Sequence, residues 1–146
     1  MSVAIHHFGR SQKYLDRPRY LYALLFDNKC CYVGQTVDLR ARERQHRSPQ
    51  GGWCGQHFDF KPLGVVIGSE ATAIDYEHAW RCIAVRHGLN IYGMPPNIVV
   101  SPSRQMNRTR SQIASTLRWP GERKQFPWGW VGVALLLAAA IVHFFR

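Results

Sequence analysis

Residues 20–46 read YLYALLFDNKCCYVGQTVDLRARERQH, and three transitions within them decide the fold. Tyr20 to Phe26 is a short apolar, aromatic-rich run that halts at Asp27-Asn28-Lys29. A second apolar run, Cys30 to Val33, starts at once and ends on Gly34. Two such runs joined by a tight polar turn predict a β-hairpin. Beyond it, Thr36 or Asp38 can cap a helix over roughly residues 37–47, rich in Arg and stopping before Ser48-Pro49.

Reading onward, Gln50 to Pro62 is a Gly-rich loop, and Leu63 to Ile67 is a fully apolar third strand between Pro62 and Gly68. Ser69 caps a second helix through His87, closed by Gly88. A loop with Pro95, Pro96 and Asn97 follows. The order ββαβα predicts an α/β domain over residues 18–100: a small three-stranded antiparallel sheet flanked by helices. Residues 1–17 are polar, basic and without period, a flexible lead-in. There is no internal repeat and no low-complexity tract.

From Phe126 to Phe145 the sequence is FPWGWVGVALLLAAAIVHFF, twenty residues without Asp, Glu, Lys or Arg. At about 1.5 Å per residue this length just spans a hydrocarbon core of about 30 Å. Arg118, Arg123 and Lys124 precede it, and only Arg146 follows. Trp128 and Trp130 stand where amphipathic rings prefer the headgroup level. The positive-inside bias then places residues 1–125 in the cytoplasm, with a single-pass anchor in an inner or plasma membrane. The plainer alternative is a buried C-terminal helix of a soluble domain. No N-terminal apolar run marks a cleavable signal peptide.

Ser101 to Gln125 carries six basic residues and one acid, and reads as a mobile basic juxtamembrane linker. Three roles fit it: attraction to anionic lipid, attraction to nucleic-acid phosphate, or charge that only sets topology. Across the whole chain of 146 residues, 19 Lys+Arg against 9 Asp+Glu give a net charge of +10. That balance favours polyanionic partners. Hydrophobic residues at 46% and charged residues at 19% exclude a disordered chain. The four cysteines, Cys30, Cys31, Cys54 and Cys82, lack paired CxxC spacing and fit reduced cytosolic thiols. Cys54 and His57 form a C-x-x-H pair, so a Cys/His metal site is conceivable.

Several polar residues stand where core packing does not explain them. In the second helix Ala73, Glu77, Trp80 and Ala84 share one face. A carboxylate on an apolar stripe is costly without a partner or a metal, and Arg81, one turn on, is a candidate partner. In the first helix Leu39, Arg42 and His46 share a face. A guanidinium and an imidazole one turn apart suit a phosphate, although both also decorate solvated faces. Tyr22 and Tyr32 fit strand packing equally well.

Taken together, YLY (20–22), YVG (32–34), LRARERQH (39–46), Glu77 and Asn97 resemble the GIY-YIG nuclease superfamily. Tyr22 and Tyr32 are ten residues apart, and Arg42 follows Tyr32 by another ten. YVG is a weak motif alone; the order of all five elements across residues 18–100 is the specific signal. Two positions depart from the family pattern. Tyr20 replaces the glycine that opens the first motif, and Gln35 replaces a lysine that some members carry after the second.

The resemblance implies metal-dependent hydrolysis of a DNA phosphodiester with one divalent cation, Mg²⁺ or Mn²⁺, held by Glu77 and completed by water. Tyr32 would be the general base, with Arg42 supplying positive charge beside it and stabilising the transition state. Tyr22 and His46 would orient water or the scissile phosphate, and Asn97 would brace the site. DNA is the implied partner, the membrane a second through the C-terminal segment, and a monomer the default state. Two other classes stay open: a membrane-anchored module that binds DNA or a partner without cutting, and a chain whose main purpose is its membrane span. No zinc finger or helix-turn-helix reader is visible.

Overall fold

The computed structural model describes residues 17–53, 55–93 and 99–121. The predicted hairpin is its centre. Strand β1 (Pro18–Phe26) pairs antiparallel with β2 (Cys30–Thr36), with Tyr22 facing Gly34 and Leu24 facing Tyr32. In the turn Lys29 adopts a φ of 60°, a left-handed conformation that costs a side-chain-bearing residue about 1–2 kcal/mol. Local bonds compensate. Asn28 Oδ1 accepts from the Cys30 amide at 3.1 Å, and the Lys29 carbonyl accepts from the Asn90 amide at 3.0 Å.

Helix α1 (Leu39–Arg47) starts where capping chemistry allows: Asp38 Oδ1 accepts from the Ala41 amide at 2.9 Å. A short 3₁₀ turn, Pro49–Gly51, follows. Strand β3 (Phe58–Ile67) begins five residues before the predicted Leu63 and pairs with β1 along its whole length. Pro62 reads as a strand breaker in the sequence. It is accommodated because β3 is the outermost strand, where a missing N–H costs no ladder bond, and because the register shifts beside it. Helix α2 (Glu70–Arg86) is capped by Ser69, whose Oγ accepts from the Thr72 amide. Gly88, at φ +77°, lets the chain turn away from it.

Two short strands were not anticipated. Strand β4 (Asn90–Tyr92) pairs parallel with β2, and β5 (Val99–Val100) pairs antiparallel with β4. The sheet is therefore five-stranded and mixed, in the order β3-β1-β2-β4-β5, rather than three-stranded and antiparallel. Strands of two or three residues carry no readable period.

Side chains of β1 alternate between two cores. Leu21 and Ala23 join Cys31, Val33, Val66 and Ile91 under α2, against Trp80, Ile83 and Ala84. Tyr22, Leu24 and Phe26 face the other way, into a cluster with Cys30, Trp53 and Phe58.

The stretch expected as a mobile linker is, up to residue 119, part of the folded unit. A 3₁₀ turn (Pro102–Gln105) leads into helix α3 (Arg108–Thr116), capped by Asn107. Ala114 of α3 is 2% exposed, Arg110 Nε donates to Asp75 Oδ1 of α2 at 2.7 Å, and Trp119 meets Trp80 edge-on at 6.1 Å. Six basic residues obscured this, because only Ile113, Ala114 and Leu117 form the apolar contact of the helix. Among the described residues no helix is long and apolar enough to cross a membrane; the candidate span 126–145 lies outside them, as do Asn97, Cys54 and residues 1–16.

Because Arg110 ties α3 to α2 with a half-buried charged hydrogen bond, Arg110→Ala should lower stability by about 1–3 kcal/mol. Urea denaturation reads this as a lower midpoint at unchanged slope.

Candidate active site

The hairpin register builds the site. Tyr22 and Tyr32 project from the same face of the sheet, their ring centroids 6.3 Å apart. Tyr22 stacks on Phe60 of β3 at 4.9 Å with an interplanar angle of 13°. It leans over Gly34, its cross-strand neighbour. A Cβ added there would stand 2.7 Å from Tyr22 Oη and 2.9 Å from Tyr32 Cε1, so the motif glycine is a gap into which both rings fit.

Helix α1 delivers the next layer. His46 is 5% exposed, and its Nε2 lies 2.8 Å from Tyr22 Oη. On the opposite side of the imidazole, Trp53 donates its indole N–H to His46 Nδ1 at 3.0 Å. Trp53 is 2% exposed and packs on Phe26, Tyr32 and Tyr92. Arg42, one turn before His46, is half-buried and donates to Gln45 Oε1 at 2.8 Å.

Glu77 comes from α2 past an open edge of the sheet. Among the described residues strand β4 covers only Cys30 and Cys31 of β2, and the later residues of β2 have no strand partner on that side. Arg81 Nη2 reaches the Val33 carbonyl there at 3.5 Å and also pairs with Glu77, the i, i+4 partnership anticipated from the sequence. Both side chains are 15% exposed. The Gln35 side chain hydrogen-bonds Glu77, and its Oε1 accepts from Arg19 Nη1 at 3.4 Å.

Burial dominates the electrostatics. It pushes the Tyr22 phenol far above its ordinary range, with Tyr32 and Glu77 adding to the rise and Arg42 opposing it. Burial and the Glu77 carboxylate raise Tyr32, against the pull of Arg81 and then Arg42. Glu77 is raised by burial and drawn back by Arg81 and Gln35. His46 is lowered to about 4 by burial and by Arg42. Burial thus opposes the charged form of every titratable member, while Glu77 keeps the Arg81 guanidinium as its partner.

The structure therefore brings Tyr22, Tyr32 and His46 into ring contact, and sets Arg42 and Glu77 where both act on the two phenols. The positive charge felt most by Tyr32 comes from Arg81, not from Arg42 as the sequence suggested. Trp53 escaped the sequence reading because it lies in a Gly-rich loop without period. The one available signal was a large aromatic in a stretch otherwise suited to water. Tyr20 lines an open cleft of about 370 Å³ with Val37, Asp38, Leu39 and Arg40. Of the Cys54/His57 pair, His57 is exposed and lies 3.4 Å from Asp27. Among the described residues no three His, Cys, Asp or Glu side chains gather as a metal-holding group. No family model, no curated protein and no solved structure matches the chain.

Two outcomes follow from this geometry. Gly34→Ala should displace both tyrosines and cost about 1–3 kcal/mol, read by denaturation and by altered near-ultraviolet dichroism. His46 should remain neutral down to about pH 4 in an NMR titration. Its folded-state pKa lies below the unfolded value, so the unfolded chain takes up the proton first. This group's contribution to stability is present above about pH 6.5 and is lost as pH falls towards 4, a change of about 3 kcal/mol.

Proposed function

We propose that the chain is a divalent-metal-dependent DNA endonuclease with a GIY-YIG-type site, held at the cytoplasmic face of a membrane by its apolar C-terminal segment. The observation that carries the reading is the contact of Tyr22, Tyr32 and His46 around the motif glycine, with Arg42 and Glu77 acting on both phenols. Packing alone has no need of two buried phenols, an imidazole and a carboxylate in one cluster.

Each residue has a chemical task in phosphodiester hydrolysis. As the phenolate, Tyr32 Oη would take the proton of the attacking water; Arg81, Arg42 and the hydrogen bond from Tyr22 favour that phenolate, against burial and the Glu77 carboxylate. The half-buried Arg42 fork stabilises charge that builds on the phosphate oxygens. His46 and Tyr22 hold the donor side of the site in place. Glu77 would hold Mg²⁺ or Mn²⁺. A single hard oxygen donor suits an ion that keeps most of its water shell, and that ion would compete with Arg81 for this carboxylate. When bound, the ion would lower the pKa of its water and neutralise charge on the phosphate. Exposed Arg40 and Arg44 on α1 and Lys61 on β3 provide charge for the DNA backbone.

One observation favours a second reading, a membrane-anchored DNA- or partner-binding module without turnover: Glu77 already has a counter-ion in Arg81. Cleavage of labelled single-stranded, duplex, flapped and branched DNA, with Mg²⁺ or Mn²⁺ against EDTA, separates the two. Under the nuclease reading, Glu77→Gln loses metal-dependent cutting by at least about 100-fold while circular dichroism stays close to the parent's; the melting temperature falls, because Arg81 loses its carboxylate partner. Undiminished cutting by that variant rejects the site. Salt-sensitive binding without any cutting by the parent selects the binding module.

A further inference from the structure

We infer that Trp53 is a positioning residue that fixes the tautomer of His46 and thereby the direction of a hydrogen-bond chain running Trp53 → His46 → Tyr22. The catalytic consequence rests on the nuclease reading above; the tautomer itself does not.

The argument is donor-and-acceptor counting. An indole Nε1–H can only donate. It points at His46 Nδ1 from 3.0 Å, so that nitrogen must offer its lone pair and carries no proton. A neutral imidazole with a bare Nδ1 has its proton on Nε2. Nε2 lies 2.8 Å from Tyr22 Oη, so His46 donates there and the phenol oxygen accepts. The reverse arrangement, with Tyr22 donating to Nε2, would leave both ring nitrogens bare, which a neutral imidazole cannot do.

The Tyr22 proton is then turned outward, and the phenol that can take it is Tyr32, with which Tyr22 shares a side-chain hydrogen bond. Tyr32 ends the chain as the oxygen that receives, and an accepted hydrogen bond stabilises the phenolate form that a general base requires. A competitor for the His46 proton exists. The Gly51 carbonyl can hydrogen-bond the ring, and Arg42 is the charged group that acts on it. Without the indole, the proton can move to Nδ1 against Gly51. Nε2 would then accept from Tyr22, and the chain would run backwards, taking its proton away from Tyr32.

The test is ¹⁵N NMR of histidine-labelled full-length chain in detergent micelles. In the parent, His46 should show a protonated Nε2 and a lone-pair Nδ1, with a scalar coupling across the bond to the Trp53 indole nitrogen. In Trp53→Phe the pattern should shift towards protonated Nδ1. A parent with Nδ1 protonated, or a folded Trp53→Phe with the parent's tautomer, overturns the inference. The parent spectrum decides even where the variant does not fold. In DNA cleavage Trp53→Phe should lose about 10–100-fold in kcat with KM little changed. Failure of the parent to cut would count against the nuclease reading, whereas the tautomer is judged on the spectra.

Discussion

The middle of strand β1, Leu21 to Leu24, is buried on both faces, and the period of two along it divides its side chains between two cores. Leu21 and Ala23 are committed to α2, and Tyr22, Leu24 and Phe26 to the aromatic cluster opposite. Neither set can slip by one residue without exchanging cores. The register with β2 is fixed by the same constraint, and it puts Tyr22 against the one residue of β2 with no side chain to obstruct it. The site is therefore a local modification of a core, not a cleft added to a finished fold. Its aromatic members contribute burial and chemistry with the same atoms.

That economy has an electrostatic side. Removing water from Tyr22, Tyr32, His46 and Glu77 disfavours every charged form at once. Arg81 and Arg42 act differently. Arg81 is 15% exposed and tied to Glu77, whereas Arg42, among the described residues, donates to Gln45 of its own helix. One guanidinium is part of the framework, and the other can turn to an incoming anion at little cost. Gln35 is a neutral bridge between Arg19 and Glu77. A lysine there would add a third cation beside the same carboxylate.

How much of this was legible depended on whether a local signal existed. The hairpin and both helices were readable because period and punctuation agree: Asp38 and Ser69 cap, Gly88 stops, and the YLYALLF run is long enough to be unambiguous. The start of β3 was hidden by Pro62, whose tolerance depends on an edge position that only tertiary structure supplies. Strands β4 and β5 were too short, and α3 was masked by its arginines. Within the site, Tyr22, Tyr32, Arg42, His46 and Glu77 were singled out by the family resemblance and not by any local period. The Trp53 contact depends on a loop folding back onto α1, which no pattern in residues 48–57 encodes.

The parallel pairing of β2 with β4 has a kinetic corollary. Cys30 and Asn90 are neighbours in the sheet yet sixty residues apart in the chain, whereas Tyr22, Tyr32, His46 and Trp53 span little more than thirty. Loop-closure entropy favours short-range contacts early. The hairpin, α1 and the Trp53 loop can thus assemble as one nucleus, while α2 must dock before Glu77 arrives. The chain would gain its aromatic platform first and its carboxylate last, so in a nascent or partly unfolded molecule the cluster is complete only once the whole sheet has closed.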